Sequence, residues 1–426
     1  MMHRQFGAAL RGPARMHTAV RRAWRQRIWA CGISGLFFAG AAQADSPVAK
    51  VRIAFDRNGI TSIQTNGFAD KAAARKISAN DPVRVASISK LVTTVGVMRL
   101  VEAGKLNLDA DVSRYLGWNL RNPAFPNVPI TLRMLTSHRS SLTDAAGYWQ
   151  TPLDGLLRDT LDNPHAWDGE HAPGTYFRYT NLNFPVAAQA MERVTGERFD
   201  RLMQRLVLKP LGVEGCFGWA TCNEATAAQS VVQYNTDGKA VVDDNHGHKP
   251  NCLVRPARDG SCDLSRYRPG ENGALFGPQG GLRISGAGLA RVGMMLLGNG
   301  TLALNGQHLL RPESVRAMAT PLWEYDGRNG LTYEEDSDDH QPGFFCHWGI
   351  GMQILATRAE GCRDDPFGDH VARIGHSGTA YGVQAGMWLD RERGTGVVWF
   401  ATGMPEQRAG GLSAFSSVEE TFARGK

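Results

Sequence analysis

The chain has 426 residues, 42% hydrophobic and 21% charged, with 47 basic against 41 acidic side chains. The positive surplus sits in the first 44 residues, which hold seven arginines and no acidic residue, so the rest is nearly neutral and without a long basic run. That excludes a nucleic-acid-binding surface as the meaning of the high isoelectric point, and leaves a length ample for one large domain or for two lobes sharing a cleft.

Residues 28–42 are apolar and end in Ala42-Gln43-Ala44. Residues 1–44 therefore read as a secretory signal peptide cleaved after Ala44, with Met16 as an alternative start. A membrane anchor is the competing meaning, but this stretch is broken by three glycines, and a span needs about 20 apolar residues. No later segment is apolar enough to cross a bilayer, so the mature chain, 45–426, is expected in the periplasm or outside the cell, with no membrane span.

Strand-like runs at 48–55 and 60–65 flank the turn Arg57-Asn58-Gly59 and predict a hairpin. Helices are predicted over 89–102 ending near Gly104, over 131–136, over 183–194 before Gly196 and over 199–207 before Pro210. Ser285 is placed to cap a further helix, 288–297. Three strands follow at 371–374, 381–389 and 396–402, and 413–424 has helical composition. Strands at both ends with helical material between them predict one sheet built by the two termini, with the middle as an insertion. Residues 216–271 and 324–342 are rich in polar and turn-forming side chains and read as long surface excursions.

Six cysteines follow Ala44. Oxidising surroundings favour disulfides, and sequence proximity selects Cys216 with Cys222, Cys252 with Cys262 and Cys346 with Cys362. Zinc held by Cys252, Cys262, His246 and His248 is the alternative, at a cysteine spacing too loose for it.

The chemistry starts at Arg84-Val85-Ala86-Ser87-Ile88-Ser89-Lys90. Ser87 and Lys90 lie one helical turn apart on one face, so the ammonium nitrogen reaches the seryl oxygen. Burial near a helix N-terminus depresses the lysine pKa toward that of a useful base. Ser89 points from another face and lacks a basic partner. Tyr179-Thr180-Asn181 follows the turn Ala172-Pro173-Gly174-Thr175; a tyrosinate beside ammonium charge can relay the seryl proton, and Asn181 can bind an acyl carbonyl or steady the lysine. Gly375-His376-Ser377-Gly378-Thr379 reads as a strand end whose glycines allow close approach. There the amides of Ser87 and Thr379 are candidates for an oxyanion hole, and His376 for a polar or protonatable cleft group. The same segment nearly spells Gly-x-Ser-x-Gly but fails at residue 379, which argues against a nucleophile elbow at Ser377. Taken alone, Tyr179 reads as a core aromatic and the glycine-rich segment as a tight turn.

In this order and spacing the three segments resemble the serine β-lactamase and penicillin-binding-protein superfamily, in its class C β-lactamase-like and esterase-like branch. Ser87-Ile88-Ser89-Lys90 is similar to its first motif, Tyr179-Thr180-Asn181 to its second, and His376-Ser377-Gly378 to its Lys-Thr-Gly strand; the resemblance runs over about residues 50–405. It implies an α+β fold, an antiparallel sheet flanked by helices, with a sheet lobe of about 45–125 and 276–426 and a mostly helical lobe of about 126–275. It also implies Ser87 as the acylated nucleophile, Lys90 and Tyr179 as its catalytic partners, Asn181, His376, Ser377 and Gly378 along the substrate cleft, and no metal or organic cofactor. Two departures stand out. His138-Arg139-Ser140-Ser141-Leu142 replaces a His-Thr-Ser-Gly-Leu turn, and His376 replaces a lysine that would anchor a substrate carboxylate. The expected activity is hydrolysis of an ester or a small D-amino-acid-type peptide amide. β-Lactamase or DD-carboxypeptidase action is the alternative within the class, and a non-catalytic binding or interaction protein is the alternative outside it.

Overall fold

A computed structural model of the protein describes residues 47–335, 341–405 and 410–426; the signal peptide expected at 1–44 lies outside them. Side chains of β1 (Ala49–Asp56) alternate between buried and half-buried, as a strand with one core face requires. It turns back into β2 (Ile60–Asp70) through Asp56, whose carboxylate accepts from the backbone N–H groups of Asn58 and Gly59 at 2.7 and 3.0 Å. A short β3 (Arg75–Lys76) follows. Among the helices that follow are α1 (Ile88–Glu102), α2 (Leu132–Thr136), α3 (Asn183–Thr195) and α4 (Gly286–Leu297). Then come β4 (Trp323–Glu324), β5 (His347–Trp348), β6 (Gln353–Ile354), β7 (Ile374–Ala380), β8 (Val383–Asp390), β9 (Thr395–Thr402) and α5 (Ser417–Arg424).

The strands form a nine-stranded sheet in the order β4-β5-β6-β7-β8-β9-β1-β2-β3. Its pairs are antiparallel, and Ala49 of β1 stands opposite Thr402 of β9. The termini thus share one sheet, as the sequence predicts. Every residue of β8 is buried. Met387 and Leu389 belong to one core cluster with Leu289 and Val292 of α4, while Trp388 packs with Trp399, Phe415 and Phe422 beside α5. Each such fully buried large side chain contributes roughly 1.5–3 kcal/mol. Close packing of α4 on the sheet depends on Gly293, where a Cβ would come within 2.5 Å of the Phe55 ring.

Helix ends follow their capping residues. Thr131, Ser285 and Ser416 accept from the first-turn amides of α2, α4 and α5, and Ser416 with Glu419 completes a capping box. Three expectations change. The helix predicted over 199–207 is α-helical only over Phe199–Met203 and continues as a π-helical segment over Gln204–Leu208, with the Lys209 N–H donating to Gln204 O at 2.9 Å. The strand predicted at 371–374 instead begins at Ile374 and runs through the glycine-rich segment to Ala380. Tyr381 and Gly382, expected to open the next strand, have φ of 54° and 71°, and form the two-residue hairpin loop that this backbone hand favours.

The three cysteine pairs stand at disulfide distance, with Cα separations of 5.1 Å for Cys216 and Cys222, 5.4 Å for Cys252 and Cys262, and 5.9 Å for Cys346 and Cys362. Both sulfurs of the zinc alternative are thereby committed to each other.

Just past the last pair lies the buried Asp364, which accepts from the Thr357 amide and hydroxyl at 2.9 and 2.7 Å. Burial raises its pKa to about 7, against the lowering effect of those bonds. A raised folded-state pKa stabilises the fold fully below the unfolded value, and this contribution is lost as pH rises through about 7. Asp364→Asn keeps the acceptor for the Thr357 N–H, reverses the bond with the hydroxyl, and removes the titration. Its stability relative to the parent is expected to improve between pH 5 and 8 by on the order of 2–3 kcal/mol. Urea unfolding at the two pH values measures this, and an equal difference at both would refute the burial penalty.

Candidate active site

Val83 and Arg84 pair with Ile284 and Arg283 in a small separate sheet, and this strand delivers the chain to α1. Ala86 takes a φ of 46°, a left-handed backbone that a non-glycine side chain resists. Ser87 follows as the N-cap of α1, with its side chain making no capping bond. Instead its Oγ accepts from Lys90 Nζ at 2.9 Å. Ser89 is occupied elsewhere: its Oγ donates to Ala86 O at 2.6 Å and accepts from the Leu282 N–H at 3.1 Å, pinning α1 to the small sheet.

Lys90 is fully buried, while Ser87 is half-buried. Its Nζ also donates to Asn181 Oδ1 at 2.6 Å and to Gln279 O at 3.1 Å, and lies 4.8 Å from the centre of the Tyr179 ring. Burial lowers the Lys90 pKa to about 8, with Glu334 and Asp144 pulling it the other way.

Tyr179 is stacked between His138 and Phe345, with ring centres 4.3 and 4.5 Å away, and Trp348 meets it edge-on at 5.7 Å. The turn at 138–144 builds the seat for its segment. His138 Nδ1 accepts from the Thr180 N–H at 3.0 Å, and Leu142 O accepts from the Thr180 hydroxyl at 2.9 Å. Asp144 accepts from the amides of Asn181 and Leu182, both at 2.8 Å, and from Asn181 Nδ2 at 3.0 Å. Two residues of this turn, His138 and Ser141, have φ of 57° and 62°. Ser141 thus takes a left-handed conformation at the position where the resemblance sets a glycine. Burial, then the charge of Lys90, lowers the His138 pKa well below the usual imidazole value, so His138 is neutral and, with Nδ1 accepting, carries its proton on Nε2.

β7 brings the third segment. Among the described residues, β6 pairs with it at Ile374 and Gly375. Gly378 is the point of approach, since a Cβ there would lie 3.2 Å from Ser87 N and 2.5 Å from Val85 O. Ser377 is buried and Thr379 half-buried. His376 is only 1% exposed, with its Nδ1 2.5 Å from Ser377 O and its ring centre 5.3 Å from Trp348 and 6.3 Å from Tyr179. Burial and the charge of Lys90 lower its pKa to about 3, against the bond to Ser377 O, and so favour the neutral ring.

Three residues here went unpredicted. Asp144 is buried, and burial raises its pKa to about 6 against its backbone hydrogen bonds. Tyr148 is buried among Asp144, Glu334, Tyr381 and Tyr179; burial, reinforced by the carboxylates, raises its pKa well above the usual phenol value and keeps it a donor. Glu334, from the excursion at 324–342, accepts from Asn181 Nδ2 at 3.2 Å. Among the described residues no group of three or more His, Cys, Asp and Glu is placed to hold a metal ion.

The chain is 30% identical over 171 residues to Esterase EstB of Burkholderia gladioli, covering 36% of this chain and 42% of the esterase. It is 28% identical over 138 residues to the D-alanyl-D-alanine-carboxypeptidase/endopeptidase AmpH of Escherichia coli K12, covering 31% and 35%. These alignments span less than half the length of either relative. Among solved structures it is similar to the octameric penicillin-binding protein homologue from Pyrococcus abyssi, with a TM-score of 0.59 at 18% identity over 84% of this chain and 71% of that one. The Beta-lactamase family profile matches residues 20–415. A fold shared with that homologue and a profile match over nearly the whole chain make this protein a member of the Beta-lactamase family of serine hydrolases.

Proposed function

We propose that the protein is an exported serine hydrolase that forms an acyl-enzyme on Ser87 and cleaves an ester or a small peptide amide of D-amino-acid type. The observation that carries this reading is the buried Lys90, with its pKa lowered to about 8 and its Nζ 2.9 Å from Ser87 Oγ. In this reading the Ser87 proton passes to neutral Lys90, or to Tyr179 as its phenolate, as Oγ bonds to the substrate carbonyl carbon. The amides of Ser87 and Thr379 receive the oxyanion; the ester or amide bond breaks as the proton moves to the leaving group, and water reverses the sequence to free Ser87. The reacting groups come from both proposed lobes, Ser87, Lys90 and Thr379 from 45–125 and 276–426, Tyr179 and Asn181 from 126–275. Three cysteine pairs at disulfide distance support an oxidising compartment.

The test is intact-mass labelling with a fluorophosphonate and, in parallel, a fluorescent penicillin, followed by peptide mapping. A fluorophosphonate adduct on Ser87 is the expected result. An adduct on Ser89 or Ser377, or none, removes the reading; a stable penicillin adduct on Ser87 replaces it with a penicillin-binding one.

A further inference from the structure

The outer edge of the sheet, at β2, is open and uncharged. Residues 60–66 are all exposed and include neither a charged side chain nor a proline, the two devices that commonly keep a free edge from pairing. β3 covers only the far end of β2, pairing at Phe68 and Asp70, with the Ile77 N–H donating to Gly67 O at 3.2 Å. Among the described residues no strand lies against 60–66 on that side. On the β1 side the Phe68 N–H donates to Val48 O at 2.9 Å. Main-chain groups alternate along an antiparallel strand, so Ile63 and Thr65, like Gly67, turn their N–H and C=O outward.

The side chains at this edge extend the core without being covered. Ile63 and Thr65 stand opposite Ile53 and Val51 of β1, which are fully buried and approach Gly286 of α4. Ile63 thus lies on the α4 side of the sheet, yet it is 52% exposed. Ile60, 39% exposed, lines a cavity of about 480 Å³ with Leu304, 49% exposed, and with Val213 and Met294. A free backbone edge and an apolar margin therefore coincide. The free span also maps onto itself. Laid antiparallel on a second copy, 60–66 is centred on Ile63, which sets Ile63 against Ile63, Ser62 against Gln64, Thr61 against Thr65 and Ile60 against Asn66. The isoleucines at the centre meet on the core side, polar side chains meet around them, and no like charges are opposed. The paired stretch ends at Asn66, just before the contact of Gly67 with Ile77. This self-matching selects a second copy of the chain over an unrelated strand.

We propose that β2 is a homodimer interface, in which the strands of two copies pair antiparallel about a two-fold axis at Ile63 and join the two sheets into one. Ile63 of each copy donates its N–H to the Ile63 carbonyl of the other. β2 is separated from β7 by β1, β9 and β8, so pairing here leaves the surroundings of Ser87 open, and the assembly does not depend on the reaction at Ser87.

The test is sedimentation velocity of the protein in its naturally processed form, up to about 200 µM, with cross-linking to fix the register. A concentration-dependent passage from monomer to dimer is expected. Ile63→Lys sets two ammonium groups against each other at the axis and is expected to weaken the dimer about 10-fold or more. Leu412→Lys, at an exposed apolar residue beside α5, is expected to leave it unchanged. In Ile63→Cys the two Cα atoms would stand about 5.5 Å apart, within disulfide reach, so mild oxidation is expected to give a dimer that reduction reverses, whereas Leu412→Cys gives none. Circular dichroism checks that each variant is folded, and where the lysine variant is not, the cross-link alone decides. A monomer at every concentration overturns the proposal, as does a dimer that survives Ile63→Lys, or an Ile63→Cys protein that forms no cross-link.

Discussion

Lys90→Met is expected to slow fluorophosphonate acylation of Ser87 by about 10²–10⁴-fold, the range over which a positioned general base acts. The methionine keeps the apolar stem within the buried channel but removes the nitrogen that lies 2.9 Å from Ser87 Oγ. The pH profile carries the sharper signature. Burial brings the Lys90 pKa down to about 8, and only the neutral amine accepts a proton, so the parent's acylation rate is expected to rise with pH through about 8 and then level off. The variant is expected to lack that limb. A companion, Tyr179→Phe, retains the ring stacked on His138 and Phe345, so a fall in its rate reports the lost hydroxyl and not lost packing. Rates measured from pH 6 to 10 decide the matter. If Lys90→Met labels at the parental rate, or keeps the same limb, proton transfer belongs to another group.

Asp144→Ala is expected to have the largest effect on stability, about 3–5 kcal/mol. The carboxylate satisfies three donors of the segment that follows Tyr179, at 2.8, 2.8 and 3.0 Å. Alanine removes that acceptor, leaving the Leu182 N–H buried without it and Asn181 Nδ2 with Glu334 alone. The segment also positions Asn181, whose Oδ1 holds Lys90, so the loss should reach the nucleophile as well. Urea unfolding followed by circular dichroism gives the stability change, and Ser87 labelling in the absence of urea gives the functional one. An unchanged unfolding midpoint would show that the three donors find other partners and that Asp144 does not hold the turn.

Local features of this molecule were readable before its tertiary ones. Ser87 and Lys90 could be paired from sequence because helical geometry brings residues three apart together without help from the rest of the chain. The cap at Ser285 obeys equally local chemistry. Asp144 and Glu334 reach Asn181 across 37 and 153 residues of chain, through loops with no period to mark the contact. The excursion at 324–342 read as bare surface, yet it supplies Glu334 to the site. His376 was legible as a polar substitution, but its neutrality depends on Trp348 and Lys90, which only the fold brings to it. At Gly378 the residue type suggested a strand end. The strand continues instead, and the missing side chain lets its backbone approach Ser87 N.

Because β1 is held between β2 and β9, the sheet has a consequence for the order of events during synthesis. The partner of Ala49 is Thr402, which leaves the ribosome roughly 15–70 s later at ordinary elongation rates. Over that interval the nucleophile and its lysine exist without β7, which supplies the wall beside Ser87. The segment 49–56 must meanwhile keep one edge unpaired, a state in which strands readily join the wrong neighbour. A chain that folds as it emerges thus leaves its first hairpin open longest, and the serine acquires its full surroundings only when the C-terminal strands arrive.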